Sequence, residues 1–210
     1  MQFIYSCLIV MSVLVANSIF SDPQYEEELY DVLSSHKFFS AFFEQKTTTN
    51  EVERKIQGEI IADRSGRFKI TYFDPFNEVI SSDGKDIYRY DPELEQAEVQ
   101  PLDDLLKETP IGLFSLETEE LKKIFLLNWC KKIGSIMKCK LSPIKEVSFI
   151  REVILDIRNK LIYKLEYKDT FDQNISINFK NPSLKEIPKH KFKFIIPKGT
   201  DIVGAKNNLE

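Results

Sequence analysis

Histidine is nearly absent from this chain, with two copies in 210 residues, and glycine is scarce at seven. So few imidazoles leave little room for histidine acid–base chemistry or a histidine-rich metal centre. The glycines form no phosphate-cradling loop and no Gly-x-Ser-x-Gly elbow, which removes common nucleotide-binding and hydrolase signatures. His36 and His190 both neighbour lysines in polar contexts and are expected at the surface. Cysteine is also rare, and the spacing between Cys130 and Cys139 does not match the short ligand pairs of zinc sites. Net basicity is missing too: the formal charge is −4, against the basic, aromatic-interleaved composition of nucleic-acid binders. No catalytic residue, metal ligand or cofactor is nominated.

Charge itself is absent from residues 1–21. Within them, "FIYSCLIVMSVLVA" is shorter than the roughly 20 apolar residues that span a bilayer comfortably. Ala16 and Ser18 supply the small-x-small pattern of a signal peptidase site, although no Lys or Arg precedes the run. A cleaved secretory signal over 1–21 is expected, with cleavage near Ser18 or Ser21 and a soluble exported product. Residues 22–210 contain no linker, repeat or low-complexity tract and read as one domain. Charge is uneven within that domain. Residues 22–129 carry 24 acidic and 12 basic side chains, a balance of −12; residues 130–210 carry 9 and 17, a balance of +8. Oppositely charged strands side by side in one sheet are the expected cause, with docking of charged partners as the alternative.

Aromatics are abundant, with 16 Phe and 8 Tyr, and most fall in alternating segments. Asp22-Pro23 reads as a helix start, after which Tyr25, Leu29, Val32 and Leu33 share a face. In "FSAFFEQK", Phe39, Ala41 and Phe43 alternate with Ser40, Phe42 and Glu44, as in a strand buried on one side. Further strands are expected at "GEIIAD", "RFKITYF", "NEVISS", "DIYRYD" and "EQAEVQ", and later at "KLIYKLEYK", "NISINFK" and "HKFKFIIP". Between the two sets, "PLDDLLKETPIGLFSLETEELKKIF" reads as short helices. Mainly β architecture with helices follows, as one large antiparallel sheet of about ten strands that curls toward a barrel.

"NWCKKIGSIMKCK" reads as a hairpin turning at Gly134-Ser135, with glycine first, as a type II′ turn prefers. Counting outward pairs Ile133 with Ile136 and Cys130 with Cys139. The cysteines land on a non-hydrogen-bonded pair, where Cα atoms lie about 4.5 Å apart, at the short end of the disulfide range. A cross-strand disulfide is expected, the other reading being two free thiols.

The order "FFSAFFEQK", "GEIIADRSGRFKITYFDPFNEVISSDGKDIYRYDPELEQAEV", "TPIGLF" and "FKFIIPKGTDIV" resembles the LolA family of outer-membrane lipoprotein carriers. The resemblance runs from about Leu33 to Val203. It is carried by Phe43-x-Gln45, the Arg-x-Gly-x-Phe around Arg64, Ser-Asp-Gly at 82–84, Thr109-Pro110 and the closing Phe-x-Phe-x-x-Pro-x-Gly. It implies an incomplete antiparallel barrel of ten to eleven strands, closed by short lid helices over a cavity for lipoprotein acyl chains. It also implies a periplasmic, monomeric, non-enzymatic carrier without cofactor. Such a carrier accepts lipidated lipoproteins from an inner-membrane lipoprotein-releasing ABC transporter and delivers them to an outer-membrane lipoprotein receptor.

By that resemblance Arg64 is a lid latch, hydrogen-bonded to carbonyls near Phe114 and Ser115. Phe39, Phe43, Phe68, Ile70, Tyr72, Tyr88, Tyr90, Ile111 and Leu113 are the expected acyl-chain cavity. Ser65 stands where the family often has proline, which puts the local turn in question. Two alternatives stay open: an acyl-chain-binding receptor or envelope-stress sensor of the same half-barrel fold, and a lipid hydrolase. The first is weakened by the lack of a cysteine near residues 18–22, the second by the lack of a visible catalyst.

Overall fold

The computed structural model describes residues 23–102, 105–145 and 149–204; the expected signal segment 1–21, with Cys7, and Asp103-Asp104 lie outside the described residues. The chain opens with helix α1 (Pro23–Ser35), whose apolar face is the expected one: Leu29, Val32 and Leu33 are buried and Tyr25 packs against them. Six strands follow: β1 (Phe38–Thr49), β2 (Val52–Asp63), β3 (Arg67–Tyr72), β4 (Val79–Asp83), β5 (Asp86–Asp91) and β6 (Gln96–Pro101). Three short helices come next, α2 (Leu105–Glu108), α3 (Gly112–Ser115) and α4 (Thr118–Ile124). Then come β7 (Phe125–Ile133), β8 (Ile136–Pro143), β9 (Ile150–Arg158), β10 (Leu161–Asp169), β11 (Asn174–Ser183) and β12 (Asp201–Gly204).

All twelve strands form one sheet in the order β12-β6-β5-β4-β3-β2-β1-β11-β10-β9-β8-β7. The sheet is open, with β12 and β7 at its edges. Neighbours are antiparallel except β12, which pairs with β6 in parallel, and among the described residues the count of twelve strands exceeds the expected ten to eleven. The expected strand "HKFKFIIP" is not one: a 3-10 turn occupies Lys189–Lys191, and residues 192–200 carry no ladder. This segment instead covers the outer face of the sheet. Phe192 is buried there beneath the Arg67 guanidinium, and Phe194 packs on Tyr90 with ring centroids 5.6 Å apart.

The main core lies on the opposite, concave face, where α1 and the short helices sit against the sheet. Phe39, Ala41 and Phe43 of β1 are buried in it while Phe42 is half exposed, as alternation requires. In β10 strict alternation fails. The register shifts between Ile162 and Lys164, so Ile162 and Leu165 both face inward and Tyr163 lies at the bulge beneath the Arg158 guanidinium. Ion pairs stitch the other face, among them Lys138–Asp156, Lys140–Glu152 and Lys164–Glu166. These lie within the basic half; Lys132–Glu28 and Lys180–Glu44 join it to the acidic half.

The hairpin of β7 and β8 has the expected register, Ile133 opposite Ile136 and Cys130 opposite Cys139. Gly134 takes φ +59°, the left-handed conformation the turn needs at its first central residue. Cys130 and Cys139 are bridged, with Cα atoms 4.1 Å apart.

Candidate functional site

Alternation on β3 sends Phe68, Ile70 and Tyr72 to the concave face, and all three line a cavity of about 250 Å³. Phe43 and Gln45 of β1, Ile60 of β2 and Ile80 of β4 continue the wall. Leu165, Tyr167, Ile177 and Phe179 form the opposite side. Thr109, Pro110, Ile111 and Phe114 roof it, so the stretch 109–116 is the segment expected to act as a lid. Phe114 is the buried part of that roof, its ring centroid 4.5 Å from that of Phe39 and 5.5 Å from that of Phe179. On the floor, Phe43 and Tyr72 meet edge to face over Gly58, the residue that pairs with both across β2. A Cβ at Gly58 would stand 2.7 Å from the Phe43 ring, so this glycine gives the aromatic pair its room.

The expected cavity residues divide. Phe43, Phe68, Ile70, Tyr72 and Ile111 line the space. Phe39 and Leu113 lie in the core behind it, fully buried. Tyr88 and Tyr90 are corrections: they face the outer side. In β5 the side chain that joins the concave core is Ile87, which places both tyrosines on the other face. There Tyr88 stands opposite Val99 and donates to the Asp83 carboxylate, and Tyr90 stands opposite Ala97. Ile60, Ile80, Leu165, Tyr167, Ile177 and Phe179 line the cavity without having been nominated. The same period-two pattern marks most of them, and only their pairing through the sheet brings them together.

Arg64 sits in the turn between β2 and β3 and is buried. Its guanidinium donates four hydrogen bonds to backbone carbonyls. Nη1 reaches Leu113 at 2.8 Å and Leu116 at 2.6 Å, Nη2 reaches Leu33 at 2.7 Å, and Nε reaches His36 at 3.0 Å. The acceptors on the lid are thus Leu113 and Leu116, which flank the expected Phe114 and Ser115. The Ser115 carbonyl is taken by the Gly66 N–H at 3.1 Å. The reason is length. Helix α3 is a single turn, so its carbonyls from Leu113 onward lack intrahelical donors. Burial pushes the guanidinium pKa down to about 10, opposed by Glu117, and leaves it charged at neutral pH.

The turn that carries Arg64 is braced by Asp63. Its carboxylate accepts from the Ser65 N–H at 2.9 Å, the Ser65 hydroxyl at 2.6 Å and the Arg67 guanidinium. Serine in place of proline therefore adds two donors to this turn, a backbone N–H and a hydroxyl, and proline has neither.

His36 corrects a surface expectation. It is fully buried at the corner after α1, donates Nε2–H to the Lys160 carbonyl at 2.6 Å and stacks on Phe39. Burial lowers its pKa, and the Arg64 charge adds to that, against the hydrogen bond to Lys160. His190 is exposed as expected. Among the described residues no group of three metal-ligating side chains occurs.

A family model for "Outer membrane lipoprotein carrier protein LolA" matches residues 34–195. The chain belongs to the LolA family. It is 29% identical over 206 residues to an "Outer-membrane lipoprotein carrier protein" from Pseudomonas fluorescens, covering 97% of this chain and 99% of that one. A protein of the same description from Methylobacillus flagellatus is 27% identical over 211 residues, covering 97% of this chain and 100% of its own. Among solved structures, an uncharacterized conserved protein from Thermus thermophilus shares the fold with TM-score 0.54 at 11% identity, over 86% of this chain and 99% of that one. The work of this LolA-family chain is periplasmic lipoprotein carriage, not catalysis.

Proposed function

We propose that the cavity under the lid takes the acyl chains of lipoproteins released from the inner membrane, and that Arg64 latches the lid. In this reading an inner-membrane lipoprotein-releasing ABC transporter loads the carrier, an outer-membrane lipoprotein receptor unloads it, and the carrier works as a monomer of residues 22–210 after removal of 1–21. The carrying observation is the contrast between the two parts of the site. The cavity walls are hydrocarbon apart from a few side chains, and the lid is held from outside by hydrogen bonds from one buried cation. Each methylene transferred out of water gains about 0.8 kcal/mol, so three chains shielded by such walls recover tens of kcal/mol. At about 250 Å³ the closed cavity is smaller than the roughly 300–1,000 Å³ of ordinary ligand pockets. Loading therefore requires the lid to lift, and part of the binding free energy is offset by broken latch bonds and exposed apolar surface.

An environment-sensitive apolar dye bound to the purified exported protein tests this. A lipidated peptide is expected to displace the dye and the same peptide without lipid to leave it bound. Equal displacement by both would remove the acyl-carrier reading.

A further inference from the structure

A cavity built only for alkyl chains has no use for hydroxyl groups, yet this one contains two phenols. Tyr72 projects from β3 and Tyr167 from β10, elements separated in the sheet by β2, β1 and β11. Curvature of the sheet brings both to the wall of the same cavity. The Gln45 carboxamide lines the same space from β1, which lies between them in the sheet order, and its Nε2 donates one bond to the Thr47 hydroxyl at 3.3 Å. Among the described residues neither phenol has a hydrogen-bond partner in the protein. Neither hydroxyl is among the buried atoms that lack a partner, so each keeps surface that a ligand in this space can reach, and phenylalanine would serve the chains as well.

Resting on the carrier reading above, we propose that Tyr72 and Tyr167, with Gln45, donate hydrogen bonds to the ester carbonyls that join the acyl chains to the polar end of the cargo. They thereby fix how deep the chains enter. Burial raises both phenol pKa values, Tyr72 to about 12, so each keeps its proton and remains a donor. A neutral acceptor suits the site better than a free carboxylate. Arg89, the cation near Tyr72, is already paired with Glu78, whose negative charge also faces that phenol. The recognised class is thus an acyl ester and not a fatty acid.

Two triacyl lipopeptides of equal chain length test this, one with ester-linked and one with ether-linked chains, measured by displacement of a bound apolar dye. The wild-type chain is expected to bind the ester probe more tightly. The double variant Tyr72→Phe/Tyr167→Phe should lose about tenfold on the ester probe, the worth of one to two neutral hydrogen bonds, and nothing on the ether probe. Thermal unfolding of the variant serves as the folding control, and Tyr167→Phe alone repeats the measurement if the double variant is unstable. Equal wild-type affinity for the two probes, or equal weakening of both in the variant, overturns the proposal and leaves the carrier reading standing. Failure of the wild type to bind either probe overturns both.

Discussion

Replacing Arg64 with leucine keeps an aliphatic stem and deletes all four guanidinium hydrogen bonds. Two of those bonds, to Leu113 and Leu116, hold the lid; the other two, to Leu33 and His36, tie the same cation to the end of α1. A hydrogen bond from a charged donor contributes about 1.5–3 kcal/mol net. The closed lid therefore loses at least about 3 kcal/mol relative to the open one, roughly a 100-fold change in the ratio of the two states. The bond from Gly66 to Ser115 remains, so the lid stays attached at one point. Hydrogen exchange at the Ser115 and Leu116 amides, which bond within the lid to Ile111 and Gly112, should accelerate accordingly. Uptake of an apolar dye should quicken, and release of cargo to an acceptor should slow because closure no longer drives it. Carbonyls at Leu33 and His36 are also left unpaired, so global stability falls; amides of β8 and β9 report that loss separately. Arg64→Lys retains a charge, but one ammonium cannot serve carbonyls on two separate elements, and it should fall between the two. Unchanged exchange in the lid and unchanged dye uptake in Arg64→Leu would refute the latch.

Thiol titration of unfolded, unreduced protein recovered from the periplasm should find no reactive thiol at Cys130 or Cys139; reduction should expose two and lower stability by about 2–3 kcal/mol, as expected for so short a loop. Because the folded pKa of His36 lies below its unfolded value near 6.5, the folded state binds fewer protons; stability should fall as pH drops from 7 through 6.5, and His36→Gln should flatten that slope in pH-dependent urea unfolding. Gly58→Ala brings a Cβ within 2.4 Å of the Thr71 carbonyl and 2.7 Å of the Phe43 ring; about 1–3 kcal/mol of destabilisation and reduced dye capacity are expected, measured by urea unfolding and dye titration.

Where a strand is covered on one face, its alternation could be read directly from the residues. Phe39, Ala41 and Phe43, and Phe68, Ile70 and Tyr72, fall where their period places them. The cysteine pair was equally readable, because a two-residue loop fixes register through local geometry alone. Misreadings occur where both faces are covered. Tyr88 and Tyr90 look like core in "DIYRYD" because they are partly covered, but on the outer face, beside Ala97, Val99 and the segment around Phe192. That same covering role explains why "HKFKFIIP" alternates without pairing. The burial of His36 depends on the Lys160 carbonyl, 124 residues away, and the latch acceptors depend on α3 being one turn long. Neither has a local signal.

The proposed latch lies outside the hydrocarbon cavity, and that placement matters for how such a carrier can let go. Arg64 bonds backbone carbonyls of the lid, and it is not among the residues that line the cavity. Phe114, two positions before the Leu116 acceptor, does line it. If acyl chains occupy this cavity as proposed, cargo and latch act on opposite sides of the same short segment. In the proposed reading, an acyl chain entering the space would move Phe114 away from Phe39 and Phe179, and that displacement would pull Leu113 and Leu116 from the guanidinium. Burial of chain and loss of latch would then be coupled with opposite signs. Tens of kcal/mol gained by burying hydrocarbon would hold cargo irreversibly if nothing opposed them. A latch worth a few kcal/mol, together with the apolar contacts Phe114 recovers on closing, tilts the balance toward release once an acceptor supplies comparable hydrocarbon. The latch need not match the full transfer free energy. It has only to exceed the difference between two apolar environments, which is small when an acceptor offers hydrocarbon walls like those of this cavity.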